Sequence, residues 1–182
     1  MNNLSAFIGL AHPAWSGMSI DEARVMDMAH AVEIYNHGCA IETDRSDGFY
    51  ILDALSNEGR KLSGYATDDA HFHVNDQFGA WMQVKSESLE PEELVEVMKA
   101  GEYYSSQGPE FHLIAVDGDE IVVETAKATN IAVVGRGQKN RCTKVARGAE
   151  TRFPADSFKN DWFRVVAFDE NLRRAWSNPV WI

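Results

Sequence analysis

Residues 62–73 read Leu-Ser-Gly-Tyr-Ala-Thr-Asp-Asp-Ala-His-Phe-His. The apolar run from Leu62 to Ala66 predicts a buried strand, and two carboxylates and two imidazoles follow it directly. Because side chains two residues apart in an extended chain point the same way, Asp69 and His71 can face one pocket. Carboxylates and imidazoles are ligands that suit zinc, manganese or iron. The stretch therefore predicts a strand that delivers metal ligands at its carboxyl end.

The chain before this stretch predicts two further strands, with helices between them. The predicted strands cover residues 6–11, 31–35 and 62–66, and the predicted helices cover 19–29 and 44–60. Alternating strands and helices are typical of a parallel sheet or a β/α barrel. In such folds functional sites collect at the carboxyl ends of the strands.

Polar side chains stand at the end of each predicted strand. They are His12 for the first strand, Glu33, Asn36 and His37 for the second, and Asp68, Asp69 and His71 for the third. Each has an ordinary explanation when taken singly, since a His-Pro pair often just ends a strand and an Asp-x-His match is common in proteins that bind no metal. Asp69 could cap a loop, and His71 could be a hydrogen-bonded core histidine. Their joint placement at three successive strand ends favours a metal site.

The second half of the chain has a different pattern. A strand at 80–84 and a helix at 90–101 are predicted first. Beyond residue 101 only short β-rich runs remain, at 111–116, 121–125, 131–134, 143–146, 162–168 and 175–182. The sequence thus predicts an α/β domain over residues 1–101 and a small antiparallel β domain over residues 102–182.

Composition excludes several classes of partner. A formal net charge of −11 argues against nucleic acid, because phosphate binding needs clustered Lys and Arg. No apolar stretch is long enough to span a bilayer, and the N-terminus lacks the order of a signal peptide. Two cysteines, Cys39 and Cys142, are too few for a disulfide framework and predict thiols in a reducing compartment. We therefore expect a cytoplasmic protein, unless a targeting segment before Met1 has been lost.

Three segments at the strand ends resemble the later motifs of the polymerase and histidinol phosphatase (PHP) superfamily of metal-dependent phosphoesterases. They are Gly9-Leu10-Ala11-His12-Pro13, Val32-Glu33-Ile34-Tyr35-Asn36 and Gly64-Tyr65-Ala66-Thr67-Asp68-Asp69-Ala70-His71. Further along, residues 101–109 and 175–179 are similar to the β-rich extension of the carbaryl-hydrolase-like subgroup. The resemblance implies an α/β fold, namely the C-terminal half of a distorted seven-stranded β/α barrel, followed by a small antiparallel β-sandwich-like domain.

The resemblance also implies metal chemistry. A complete site of this family holds two or three divalent transition metal ions (Zn, Mn or Fe), which activate water to hydrolyse a small-molecule phosphate ester or a related substrate. Residue by residue, His12 matches the ligand of the family's Ala-His-Pro motif, and Asp69 and His71 match its final Asp-x-His pair. His37 has no secure counterpart in the family, and its place beside a strand end makes it a further candidate ligand.

Three more residues are expected to orient these ligands, namely Glu33, Asn36 and Asp68. The sequence also departs from the family pattern, because the first motif, a His-x-His with a following Asp, and the middle Glu and His ligands have no match. We therefore expect either an N-terminally truncated chain or a relative that has lost half of its site. A half barrel exposes sheet edges and apolar surface, which favours pairing of chains into an oligomer.

A function of another class is also compatible with the sequence. The β-rich half could be a non-catalytic binding module for carbohydrate or a protein partner, attached to a degenerate barrel and working through Trp162, Trp176 and Trp181. Strand alternation instead places at least two of these tryptophans in the core of a sandwich. Their exposure in the folded chain distinguishes the two interpretations.

Overall fold

The computed structural model describes residues 6–146 and 148–182, which form a mixed α/β protein with few helices and most strands in antiparallel sheets. The helices are α1 (Pro13–Ser16), α2 (Ile20–Val25), α3 (His37–Thr43), α4 (Phe49–Asn57) and α5 (Pro91–Lys99). The strands are β1 (Gly9–Leu10), β2 (Ala31–Asn36), β3 (Ser63–Thr67), β4 (Trp81–Val84), β5 (Tyr103–Ser106), β6 (Glu110–Asp117), β7 (Glu120–Ala126), β8 (Asn130–Gly135), β9 (Asn140–Lys144), β10 (Glu150–Pro154), β11 (Trp162–Phe168), β12 (Arg174–Trp176) and β13 (Val180–Trp181). The chain divides into two compact units, the first ending at Ser105 and the second running from Ser106 to Ile182.

The first unit contains the predicted parallel sheet, in the order β1-β2-β3. Its middle strand β2 is buried almost throughout, as expected for a parallel strand covered on both faces. Gly9 pairs with Ala31, and Ala31 pairs with Ser63, so the three strands run side by side and end at the same edge. Three parallel strands are confirmed in the described part of the chain, and the seven-stranded barrel stays a prediction.

The first strand is shorter than the predicted 6–11. Only Gly9 and Leu10 form the strand, and the backbone of Ile8 before them bonds to both His30 and Ala31. The Ile8 amide donates to His30 Nδ1 at 3.0 Å, and the Ile8 carbonyl accepts from the His30 amide at 2.8 Å. Gly9 is required at its position because a Cβ there would lie 2.4 Å from a ring carbon of Tyr65.

The helices between the parallel strands differ from prediction at their ends. Ser19 caps α2 with a reciprocal bond to Glu22, and the helix ends at Val25 rather than at residue 29. The helix expected over 44–60 begins only at Phe49, whose amide donates to the Asp47 carboxylate at 2.6 Å. Helix α3 was not predicted.

Two short strands complete the first unit. The predicted strand 80–84 is present as β4, and it lies beside β5, which the sequence did not predict. Tyr103 of β5 packs with Ala31 and Tyr65 of the parallel sheet in one hydrophobic cluster. The helix predicted at 90–101 is present as α5, which lies between β4 and β5 in the chain and has Pro91 in its first turn.

The second unit consists of antiparallel strands, as predicted. One group has the order β12-β11-β8-β9, with β13 also paired to β11, and the other has the order β10-β7-β6. Strands of both groups contribute to one core, which includes Ile121, Ile131, Phe153 and Phe163. Strand β10 was missed because its residues, Glu-Thr-Arg-Phe-Pro, are mostly polar and end in proline. No helix within the described residues is long and apolar enough to cross a membrane.

Candidate functional site

A pocket of about 190 Å³ lies in the first unit, where the three parallel strands end. Its lining residues follow these strands in the chain and are His12, Trp15, Gly38, Cys39, Glu42, Asp69 and His71. The parallel order of β1, β2 and β3 brings their carboxyl ends to one edge, which gathers residues that are far apart in sequence. The predicted ligands His12, Asp69 and His71 therefore meet at a single cavity.

Glu33 is the central residue of a hydrogen-bond network next to this pocket. Its side chain is 3% exposed, and both carboxylate oxygens accept bonds. Oε2 accepts from the His12 amide at 2.5 Å and from Asn36 Nδ2 at 3.2 Å, and Oε1 accepts from the Thr67 hydroxyl. Because Glu33 lies on the central strand β2, these bonds tie the ends of all three parallel strands together.

Asn36 connects the network around Glu33 to the pocket. Its Nδ2 donates to Asp69 Oδ2 at 3.0 Å, and its Oδ1 accepts from the Cys39 amide at 2.8 Å. The second bond caps α3, so one side chain both starts that helix and orients the Asp69 carboxylate. These contacts give Glu33 and Asn36 the positions expected of residues that orient ligands.

His37 does not line the pocket. It is the first residue of α3, and its Nδ1 lies 3.1 Å from the Tyr35 hydroxyl. Its ring packs against Gly79 so closely that a Cβ on Gly79 would lie 2.0 Å from His37 Cδ2. The candidate ligand His37 is thus placed apart from His12, Asp69 and His71.

Asp68 organises a loop rather than the pocket. Its carboxylate accepts backbone amides from Phe78, from Gly79 at 2.7 Å and from Ala80 at 2.9 Å. Its carbonyl accepts from the Gly38 amide at 2.8 Å, which joins the end of β3 to the start of α3. Asp68 therefore supports the backbone beside the ligand candidates, and the bonds that its carboxylate accepts come from the backbone of residues 78–80.

Asp76 has a similar role, which the sequence analysis did not predict. Its carboxylate is fully buried and accepts the amide of His71 at 2.7 Å and that of Phe72 at 3.3 Å. The bond from the His71 amide lowers the pKa of Asp76 below its ordinary value. The exposed ring of His73 stacks on that of His71, with centroids 6.4 Å apart. Asp76 thus fixes the backbone that carries His71 to the pocket.

Two of the predicted ligands have unusual backbone conformations. His12 has φ of 32° and Asp69 has φ of 49°, both in the left-handed region that side chains other than glycine rarely adopt. Such residues cluster at functional sites, where surrounding contacts hold them in place. Here the His12 amide is bound by Glu33 and the Asp69 carboxylate by Asn36.

The pocket is electrostatically negative. Glu42 and Asp69 line it, and its lining includes no Lys or Arg from the described residues. Burial, followed by the negative charges of Asp69, Glu33 and Glu42, raises the pKa of the Cys39 thiol to about 11. An environment of this kind favours a cation and repels an anion.

The side chains that line the pocket have the chemical groups of a metal site, but they do not converge on one point. Two imidazoles and two carboxylates line the pocket, and among the described residues the buried Nδ1 of His12 has no hydrogen-bond partner. Within the part of the chain that the structure describes, no three His, Cys, Asp or Glu side chains converge closely enough to hold an ion. Asp69 and His71 are exposed, so their side chains can turn toward an ion without disturbing the core. The residues therefore fit a metal in kind, and binding requires side-chain movement.

The tryptophans of the second unit are mostly buried. Trp162 is 1% exposed and Trp176 is 2% exposed, as strand alternation indicated, and Trp181 is half-buried. A sugar ring cannot stack on the two buried indoles without opening the core. An exposed indole, that of Trp15, lines the pocket, and its ring meets that of His12 edge-on at 5.0 Å.

No protein-family model, curated protein or solved structure matches the chain. The case for a function therefore rests on the residues around this pocket.

Proposed function

We propose that this protein is a metal-dependent hydrolase that acts on phosphate esters. In this proposal the sheet β1-β2-β3 corresponds to the C-terminal part of a seven-stranded barrel of the PHP type. The observation that carries the proposal is the meeting of His12, Asp69 and His71 at one pocket, directly after three parallel strands. Sites in parallel β/α folds are found at this edge.

The charge of the pocket supports a role for a cation. A phosphate ester is an anion, and the carboxylates of Glu42 and Asp69 would repel it from the pocket. A bound divalent ion reverses this, so binding of phosphate should depend on metal. The same dependence distinguishes this pocket from an ordinary phosphate site, which is built from Lys, Arg or backbone amides.

His12, Asp69 and His71 are the residues that would hold the ion. When bound, a divalent ion supplies an activated water and neutralises charge on the phosphoryl oxygens. Asn36 fixes Oδ2 of Asp69 and leaves Oδ1 for a ligand, because its hydrogen bond goes to one oxygen alone. The ring of His73 stacks on that of His71, which makes it a candidate to assist the leaving group.

Hydrolysis of p-nitrophenyl phosphate by chelator-treated protein tests the proposal. With added Mn²⁺ or Zn²⁺ we expect turnover that EDTA abolishes. This turnover should be slow, because the family's first motif has no match in the sequence. Asp69→Asn should lose this activity. Asp27→Asn, which changes an exposed carboxylate that does not line the pocket, should keep it. Turnover that survives EDTA, or no turnover at saturating metal, would contradict the proposal.

A further inference from the structure

We propose that Cys39 is a metal ligand of this pocket and that the pocket consequently prefers a thiophilic ion of the zinc and cobalt type over manganese or magnesium. The inference rests on the proposed function because it concerns the same pocket. It adds a ligand that the strand-end pattern did not indicate, and it narrows the choice of metal.

The first support is the position of Cys39 on α3. Cys39 and Glu42 are three residues apart, which places them on one face of the helix, and both line the pocket. The Cys39 amide donates to Asn36, whose side-chain amide donates to Asp69. Cys39 is therefore held by the same side chain that orients a candidate ligand.

The second support is the number of donor groups around the cavity. His12, Asp69 and His71 come from the ends of β1 and β3, and Cys39 and Glu42 add a thiol and a carboxylate from the segment after β2. The three strand ends then all contribute donors. This supply exceeds the four ligands of an ordinary zinc site, and the side chains would have to move together to hold an ion, since no three of them converge in the described part of the chain.

The third support is the chemistry of the donors. Thiolate with imidazole and carboxylate is a ligand set that suits zinc, and manganese and magnesium bind oxygen ligands in preference to sulfur. The carboxylates of Glu42 and Asp69 line the same pocket as the thiol, and their negative charge would attract a cation there. Cys39 thus gives the pocket a basis for choosing among divalent ions.

A buried cysteine is often just a small apolar residue, and the chain offers a matched control for that explanation. Both cysteines are free thiols, with Cys39 buried at the pocket and Cys142 exposed in the second unit. Cys39→Ser and Cys142→Ser remove the same atom, and only the first change should alter metal binding. Cys39→Ala is the second variant, in case the serine hydroxyl itself disturbs the buried position.

Cobalt spectroscopy of the chelator-treated full chain tests the proposal. Titration with Co²⁺ should produce an intense near-ultraviolet band from thiolate-to-metal charge transfer, in addition to the weaker visible bands of the bound ion. The near-ultraviolet band should be absent in Cys39→Ser and Cys39→Ala and unchanged in Cys142→Ser. Circular dichroism confirms that each variant is folded before titration.

A competition measurement gives the metal preference. Cys39→Ser should weaken Zn²⁺ binding by at least about tenfold. Loss of a residue that only orients a metal ligand already costs about that much. The Mn²⁺ affinity of the variant should stay within a factor of about three, because manganese gains little from sulfur. Equal losses for the two ions would overturn the claim that Cys39 sets the preference.

The outcomes separate this inference from the proposed function. Visible cobalt bands without the charge-transfer band would overturn the role of Cys39 and leave a metal site of imidazole and carboxylate in place. Failure of the chain to take up Co²⁺, Zn²⁺ or Mn²⁺ would overturn both. A charge-transfer band in a protein that hydrolyses no phosphate ester would support the ligand and contradict the hydrolase.

Discussion

The side-chain amide of Asn36 donates a hydrogen bond to the carboxylate of Asp69 over 3.0 Å, which links the end of β2 to the loop after β3. The same amide donates to the buried carboxylate of Glu33 at 3.2 Å. Asn36 thus separates two negatively charged groups and gives each a donor. An amide is the side chain that can do this without adding charge.

Replacement of Asn36 should therefore be costly. Asn36→Ala should lower the free energy of unfolding by about 2 to 3 kcal/mol, because two carboxylates lose a donor and the amide of Cys39 loses its acceptor. Asn36→Asp should cost more, because it places a third carboxylate between Glu33 and Asp69. Urea denaturation at neutral pH measures both changes.

Asn75 provides the control for this pair of variants. It is exposed, and Asn75→Ala and Asn75→Asp should change the free energy of unfolding by no more than about 0.5 kcal/mol. If Asn36→Asp proved as stable as the unaltered protein, the described arrangement of Glu33, Asn36 and Asp69 would be wrong.

Gly48 should tolerate no side chain. A Cβ there would lie 1.9 Å from the backbone oxygen of Glu33, and backbone of a central strand cannot move aside. Gly48→Ala should cost about 3 kcal/mol, whereas Gly9→Ala, which meets the ring of Tyr65, should cost about 1 to 2 kcal/mol. Thermal unfolding compares the two. Tyr65→Leu should reduce the cost of Gly9→Ala and leave that of Gly48→Ala unchanged, and equal effects would contradict this account.

The bonds from Asp76 to the loop should respond to acid. Because these bonds lower the pKa of Asp76 in the folded chain, their contribution is present above the ordinary carboxyl pKa of about 4 and is lost as the pH falls below it. Asp76→Asn removes the charge of this side chain at neutral pH, as acid does in the unaltered protein. After correction for intrinsic rates, hydrogen exchange at the His71 and Phe72 amides should therefore be faster in this variant than in the unaltered protein. The amides of Gly79 and Ala80, which bond to Asp68, serve as the internal control. Unchanged protection of His71 in Asp76→Asn would contradict the role given to Asp76.

The second unit has its own acid-sensitive group. Asp161 accepts bonds from Arg136 and Lys139, each at 3.0 Å, and the bond from Arg136 is the main reason that its pKa falls to about 2. Because the folded pKa lies below the unfolded one, this stabilisation is present above about pH 4 and is lost as the pH falls toward 2. Asp161→Asn should cost about 1 to 2 kcal/mol at neutral pH, since both partners are partly exposed and solvent screens the pairs.

Urea denaturation between pH 2 and pH 7 checks this dependence. The difference between the unaltered protein and Asp161→Asn should shrink as the solution becomes more acidic. Asp156→Asn is the matched control. Asp156 is exposed, and its carboxylate lies 3.8 Å from Arg141, which makes a long and weak surface pair. A constant difference across the pH range would show that the charge of Asp161 is not what stabilises the unit.

Much of the first unit could be predicted from the sequence, because buried parallel strands read as apolar runs that stop at polar residues. Ala31–Asn36 is such a run, and its pairing with β1 and β3 follows from the helices between them. The carboxyl-end rule then brought His12, Asp69 and His71 to the same place, and the pocket they line agrees with that expectation.

The parts that the sequence did not predict depend on single side-chain bonds. Helix α3 begins with His-Gly and has no clear apolar spacing, so its start depends on the cap that Asn36 supplies to Cys39. Since α3 was not predicted, His37 was expected beside the site, and as a helical residue it contacts Gly79 instead. Cys39 itself gave no signal, because a buried thiol looks like any small core residue.

Two further residues at the site were missed for a related reason. Thr67 donates its hydroxyl to Glu33, and Asp76 accepts the amide of His71. A threonine at a strand end and an aspartate in a loop are common in any sequence. Only the fold shows that these two bond to the residues that form the pocket.

Calorimetric titration of chelator-treated protein with Zn²⁺ tests the central claim most directly. We predict that the unaltered chain binds the ion and that Asp69→Ala and His12→Ala each weaken binding by at least about tenfold, with both variants still folded. Asp27→Ala, which removes an exposed carboxylate away from the pocket, should bind as the unaltered chain does. Absence of binding, or binding that neither pocket variant weakens, would contradict a metal site at the ends of β1 and β3.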